Sequence, residues 1–204
     1  MAMAKAQVAP KGKAARPKPE TARPKTTGRR PIVSSAHLAS ERLEGLSEFE
    51  FALMMTANAF NRWIVRCTTA AGAGMQNGGD LAALDVMVLH GVNHRDRPKR
   101  LADLCLVLNV EDSHTVNYGL KKMVRLGLIA GTRRGKEIFY STTPKGQKLC
   151  LEYRKIREQL LGEAFALIGQ PRLGESQGDL SRIADLMRAL SGTYDQAARA
   201  AASL

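Results

Sequence analysis

A seven-residue recurrence of apolar side chains sets the first constraint. Leu46, Leu53, Phe60 and Cys67 fall at that interval, and Phe49, Thr56 and Trp63 follow the first three by three residues. Such spacing lays one stripe along a helix from about Ser35 to Ala70, a rod of about 50 Å at 1.5 Å per residue. Phe51, Met54 and Ile64 add apolar surface off the stripe. A rod with that much apolar surface exceeds what one small domain covers, so the pattern predicts that it meets a second chain. A Gly-rich break from Gly72 to Gly79 ends it, with Asp80 placed to cap the next helix.

Charge is distributed as unevenly as hydrophobicity. The chain has 204 residues and a net charge of +12. Residues 1–33 hold nine cations and one acid, a net +8, together with five prolines and almost no large apolar residues. That segment cannot bury enough surface to offset its ordering entropy, so it is expected to be a disordered basic tail. It reads either as a solubilising tail or as an arm that holds nucleic acid through phosphates. Residues 95–148 hold twelve cations and five acids, a net +7, which leaves the remainder of the chain slightly negative. A polyanion is the natural partner of two such regions.

The apolar share, 44%, supports one packed domain. No stretch is long and apolar enough to span a membrane, and the N-terminus lacks the apolar run of a signal peptide. Cys67, Cys105 and Cys150 are scattered and odd in number, so neither a disulfide framework nor a zinc spacing is readable. The expectation is a soluble cytoplasmic protein with a basic surface.

Beyond the break, the pattern predicts helices over Leu81–Asn93, Leu101–Leu108 and Ser113–Leu126, the last stopped by Gly127. Two β-rich runs between Leu128 and Thr143 flank Arg133-Arg134-Gly135-Lys136 and read as a hairpin. Pro144 opens a helix to about Ile168, and a final helix runs from about Asp179 to Ala200. The resulting organisation is a tail (1–33), a long N-terminal helix (34–72), a segment of short helices and hairpin (80–146) and C-terminal helices (147–204). The fold class is mainly α with a small β-hairpin wing.

The helix over 113–126 is the most informative segment. At 100° per residue, His114, Asn117, Tyr118, Lys121, Lys122 and Arg125 share one face, and Val116, Leu120 and Met123 the other. The polar face carries hydrogen-bonding groups at its start, cations at its end and no acid. Such a face fits a major groove: Ser113, His114, Asn117 and Tyr118 are placed for base edges, and Lys121, Lys122 and Arg125, with Arg100, for phosphates. The short preceding helix and turn make a helix-turn-helix. The hairpin tip then supplies Arg133, Arg134 and Lys136 to the adjacent minor groove and backbone.

This order resembles the MarR family of bacterial winged-helix regulators. The residues that carry the resemblance are Leu84-Asp-Val-Met-Val-Leu89, Arg100-Leu-Ala-Asp-Leu104, the run from Val116 to Ile129, and Thr143-Pro-Lys-Gly146. It covers roughly residues 38–170 and implies a homodimer joined by its terminal helices, with a recognition helix and a wing on each subunit. Ser47-Glu-Phe-Glu-Phe51 and the run from Asn109 to Tyr118 resemble the LdtR-type branch, linked to cell-wall L,D-transpeptidase control. One departure concerns the wing, where the family's Asp-x-Arg pattern is missing, so that either Glu137 substitutes or the arginine goes unbraced. The resemblance also implies a pocket for a small aromatic effector, with Phe49, Leu53, Phe60, Trp63 and Met87 as candidates; plain core packing is the competing account of the same residues.

Other features carry less. His90 and His94 are four apart, a metal-ligand spacing, but Gly91 stands where a zinc hydrolase needs its Glu. Structural histidines are the simpler account, as buried structural thiols are for Cys67 and Cys105. No nucleophile motif, phosphate-binding glycine loop or cofactor motif occurs. The reading is a homodimeric, sequence-specific DNA-binding transcription regulator that recognises a pseudo-palindromic site in double-stranded DNA. The tail motivates an alternative, a non-specific nucleoid-associated DNA-binding protein.

Overall fold

In the computed structural model, residues 43–73, 81–169 and 178–204 are described. The basic tail, the stretch before residue 43 and Asp80 lie outside them. The chain divides into two units, residues 1–51 and 52–204. Helix α1 spans Glu44–Ala71, and the remaining elements all belong to the second unit: α2 (Ala83–Asn93), α3 (Leu101–Leu108), α4 (Ser113–Arg125), β1 (Ile129–Arg134), β2 (Glu137–Thr142), α5 (Pro144–Gly169) and α6 (Asp179–Ala201).

Only the end of α1 enters the core. Ile64, Cys67 and Ala71 are buried there, whereas Phe60 is 51% exposed. The buried stripe thus runs through Ile64, which the seven-residue pattern places off the seam. An ideal helix drifts about 20° per heptad against a strict seven-residue repeat. The last two turns therefore add Ile64 and Ala71 to the seam position Cys67, whose thiol donates to the Tyr153 carbonyl on α5 at 3.7 Å. Val86, Val88, Leu89 and Val92 of α2, Leu104 of α3, and Val116, Leu120 and Met123 of α4 complete the centre of the core. The predicted apolar face of α4 is thus the packed one.

Helix ends follow local chemistry. Helix α2 begins two residues later than the pattern suggests, and the Asp85 carboxylate accepts the backbone N–H of Ala82 at 2.9 Å. His94 lies beyond α2, in a 3-10 turn over His94–Asp96, so the two histidines do not share a helix. Asn109 closes α3 in the left-handed region (φ 52°), and its side-chain amide donates to Ser191 and Asp195 of α6 at 3.2–3.4 Å. Asp112 caps α4 by accepting the His114 N–H at 2.9 Å.

At the far end of α4, Gly127 takes φ 69° and the Leu128 N–H reaches the Met123 carbonyl at 3.0 Å, the wrapped ending that stops a helix abruptly. Thr143 and Lys145 seal the same end. The Thr143 hydroxyl donates to the Gly127 carbonyl at 2.7 Å, and the Lys145 ammonium to that of Leu126 at 2.9 Å.

The two strands pair antiparallel with Arg134 opposite Glu137, which leaves Gly135-Lys136 as a two-residue loop. Gly135 adopts φ 63°, the conformation that such a loop asks of its first residue. Tyr140 faces the core, and Lys99 pairs with it as a single bridge that extends the hairpin sideways.

Candidate nucleic-acid interface

One face of α4 is sealed and the other open. Val116, Leu120 and Met123 have no accessible surface, while Ser113, His114, Lys121 and Arg125 are exposed and Tyr118 is 67% exposed. Asn117 is half-buried beside Tyr118. The structure therefore brings Ser113, His114, Asn117, Tyr118, Lys121 and Arg125 together on a surface that a groove can receive.

Lys122 does not join them. Its ammonium sits 2.7 Å from the Asp85 carboxylate, with only 18% of its side chain accessible. Gly119 makes this approach possible, because a Cβ there would meet Asp85 at 3.3 Å and Val88 at 3.5 Å. The expectation of a phosphate contact at Lys122 gives way to an ion pair that locks α4 onto α2. Sequence reasoning missed it, although an acid inside an otherwise apolar α2 is the signal that a partner cation exists.

Arg100 is also taken. Its guanidinium forks onto Asp103, with Nη2 donating to Oδ1 at 2.9 Å, and Nη1 donates to Glu137 on β2 at 3.0 Å. Hydrogen bonds from Arg100 hold the Asp103 carboxyl below the usual carboxylate range and raise the guanidinium's own pKa. Glu137 accordingly does not brace a wing arginine, which corrects the expectation drawn from the missing Asp.

At the wing tip, the Arg134 guanidinium lies over the Phe139 ring, 5.1 Å from its centroid. Arg133 Nε donates to the Gly135 carbonyl at 3.3 Å, and Lys136 stands exposed in the loop. An aromatic ring thus does for Arg134 what a carboxylate does elsewhere.

The wing is tied to the body by a residue that the pattern gave no reason to single out. Lys99 is 6% exposed, and its ammonium donates to the carbonyls of Val92 and Arg97 at 3.0 Å and to that of His94. Burial lowers its pKa, yet three carbonyl acceptors suit only the charged form. Left-handed backbone at Arg95 and Asp96 (φ 58° and 46°) folds the chain into that cradle.

The candidate effector residues separate. Phe60 and Trp63 line a cavity of about 360 Å³ together with Arg157, Leu161, Phe165 and Leu180. Leu53 and Met87 do not line it; Met87 packs against the core, and Phe49 lies in the first unit. A second cavity of about 640 Å³ lies between α2 and α5, with His90, Asn93, Tyr153, Arg154 and Arg157 on its walls. The His90 and Tyr153 rings are 4.5 Å apart there, and burial, then the charge of Arg157, lowers the His90 pKa. Among the described residues, no group of three or more His, Cys, Asp or Glu is placed to hold a metal. Cys67 and Cys150 are buried, and burial pushes the Cys150 thiol up to about 11; Cys105 is half-buried. No helix among the described residues is long and apolar enough to cross a membrane.

Short helix, turn, open-faced helix and cationic hairpin, flanked by long terminal helices, define a winged helix-turn-helix protein. Residues 81–146 match the family model described as a winged helix DNA-binding domain. Among solved structures, the chain is similar to a MarR family transcription regulator designated SP03579 (16% identity, TM-score 0.57, 78% of this chain and 95% of that one). NMB1585, a MarR family regulator from Neisseria meningitidis, shares 16% identity at a TM-score of 0.55, over 78% and 96%. The transcriptional regulator MosR of M. tuberculosis shares 17% at 0.51, over 72% and 94%. At these identities the likeness is one of fold, and the fold is MarR-like. No curated protein matches the sequence.

Proposed function

We propose that this chain is a MarR-family transcription regulator that binds a pseudo-palindromic DNA site as a homodimer. The observation that carries the reading is the division of α4: one face fully sealed, the opposite face offering His114, Asn117, Tyr118, Lys121 and Arg125, with a cationic wing directly after it. Ser113, His114, Asn117 and Tyr118 read base edges, and Lys121 and Arg125 neutralise phosphate. Arg133, Arg134 and Lys136 follow the neighbouring minor groove and backbone. Arg100 and Lys122 leave the phosphate set, because carboxylates hold both.

Dimerisation is supported by apolar surface that the single chain leaves open, including Leu160, Phe165, Ile183, Leu186 and Met187 on α5 and α6. A twofold would set the two α4 helices in successive major grooves, about 34 Å apart. The cavity beside Phe60 and Trp63 suits a small aromatic effector; Glu158 in its lining is paired with Arg154 at 2.8 Å, which leaves the Arg157 charge to favour one with an acidic group. The two segments that resemble the LdtR-type branch favour that branch within the family.

Footprinting on the DNA flanking the chain's own gene tests the reading. The expected result is a protected pseudo-palindrome of about two helical turns that shrinks or vanishes with Asn117→Ala and Tyr118→Ala. Uniform coating of all fragments would instead support the non-specific alternative.

A further inference from the structure

Residues 99 and 100 hold the wing at two points on one strand. The Lys99 backbone exchanges both of its hydrogen bonds with Tyr140, at 2.9 and 2.8 Å, and the Arg100 side chain grips Glu137 at 3.0 Å. The two grips are three residues apart on β2, about 10 Å along the strand. A two-stranded hairpin has no sheet to stiffen it and is marginal alone. One attachment would leave it free to rock, and the second fixes its direction.

What Glu137 fixes, Arg134 inherits. The two stand opposite each other in the ladder, so their side chains share a face, and the Phe139 ring that carries Arg134 is on that face as well. Electrostatics argues against Arg100 as a DNA contact in its own right. Its guanidinium charge is already shared between two carboxylates, which leaves it less free to attract a phosphate.

We propose that Arg100 is a positioning residue for the wing, acting on DNA through Glu137 and Arg134 rather than by touching phosphate. This rests on the DNA-binding reading above.

The test measures binding of the full chain to its footprinted site and to a random duplex across salt concentrations, for Arg100→Ala, Arg100→Lys, Glu137→Ala and the Arg100→Ala/Glu137→Ala double variant. A positioning role predicts a loss of up to about fivefold on the footprinted site for each single variant, the ceiling for an exposed pair. The double variant is no weaker than either single one, and the salt slope on random DNA is unchanged. Glu137→Ala is decisive, because removing an acid near DNA should tighten binding if charge alone matters. Arg100→Lys guards against misfolding: it keeps the charge but cannot fork onto both carboxylates, so it too should weaken the footprinted site. A salt slope reduced by about one in Arg100→Ala, with Arg100→Lys binding as wild type, would make Arg100 a phosphate contact and overturn the proposal. Wild-type protein that binds no duplex at low salt overturns the DNA reading itself, and the proposal with it.

Discussion

The Lys122 ammonium lies 2.7 Å from the Asp85 carboxylate, and this pair joins the open-faced helix α4 to α2 beneath it. Asp85 also accepts the Ala82 N–H, so a single carboxylate starts α2 and anchors α4. Removing either partner breaks a buried ion pair. Lys122→Met and Asp85→Ala should each cost about 3 kcal/mol in urea unfolding, and a double replacement by Met and Leu should recover most of that loss. The same pair separates two neighbouring lysines. Lys121→Ala should lower the salt slope of DNA binding by about one, whereas Lys122→Met should leave the slope unchanged.

Gly146 sits where no side chain fits. A Cβ there would stand 2.1 Å from the Leu128 carbonyl oxygen and 2.7 Å from a Thr142 methyl. Both are fixed, because Leu128 also takes the Thr143 N–H at 3.0 Å. Gly146→Ala must therefore push α5 away from the end of α4 and should cost about 3 kcal/mol or more. Gly135→Ala is the control. Its Cβ meets nothing, so only the left-handed backbone is penalised, by about 1 kcal/mol. Thermal unfolding of the two variants should show the difference, and similar losses would mean that the close approach at Gly146 is relieved without strain.

His90 gives the fold an acid sensitivity of predictable sign. Burial, then the nearby Arg157 charge, lowers its pKa below the ordinary 6.5. The unfolded chain then binds this proton more readily than the folded one, so stability falls as pH drops below about 6.5 and levels off only under the folded-state value. Above pH 7 the group contributes no slope. Urea midpoints at pH 7.5 and 5.0 should show a loss in wild type that is smaller in His90→Gln, which keeps a polar side chain against Tyr153 but has nothing to protonate. An equal loss in both proteins would remove His90 from the account.

Legibility in the sequence divides along contact distance. The two-faced helix at Ser113–Arg125, its stop at Gly127 and the hairpin turn at Gly135 rest on neighbours within a few residues, and local pattern places them. Lys99 shows the opposite case. A lysine beside Arg97 and Arg100 reads as surface charge, and its carbonyl cradle exists only once Arg95 and Asp96 have turned left-handed. Asp85 and Lys122, like Arg100 and Glu137, are 37 residues apart in the chain, so each pairing is a product of tertiary packing. The effector candidates separated for a related reason. Spacing along α1 picks out Phe60 and Trp63, but α5 and α6 supply the other walls of the cavity, and no periodicity on α1 reports them.

Trp63, the only tryptophan in the chain, turns the cavity into its own reporter. An aromatic acid seated among Phe60, Leu161 and Phe165 would lie against the indole and change its emission, with no second tryptophan to add to the signal. Titration with small aromatic carboxylates should quench Trp63 saturably, and the corresponding neutral amides should bind at least several-fold more weakly. Arg157→Ala should remove that preference while leaving the apolar contacts in place, since a charge-assisted hydrogen bond contributes about 1.5–3 kcal/mol. If binding releases the protein from DNA, the ligand concentrations for quenching and release should coincide. Quenching that is equal for acids and amides, or unchanged in Arg157→Ala, would assign this guanidinium no part in ligand choice.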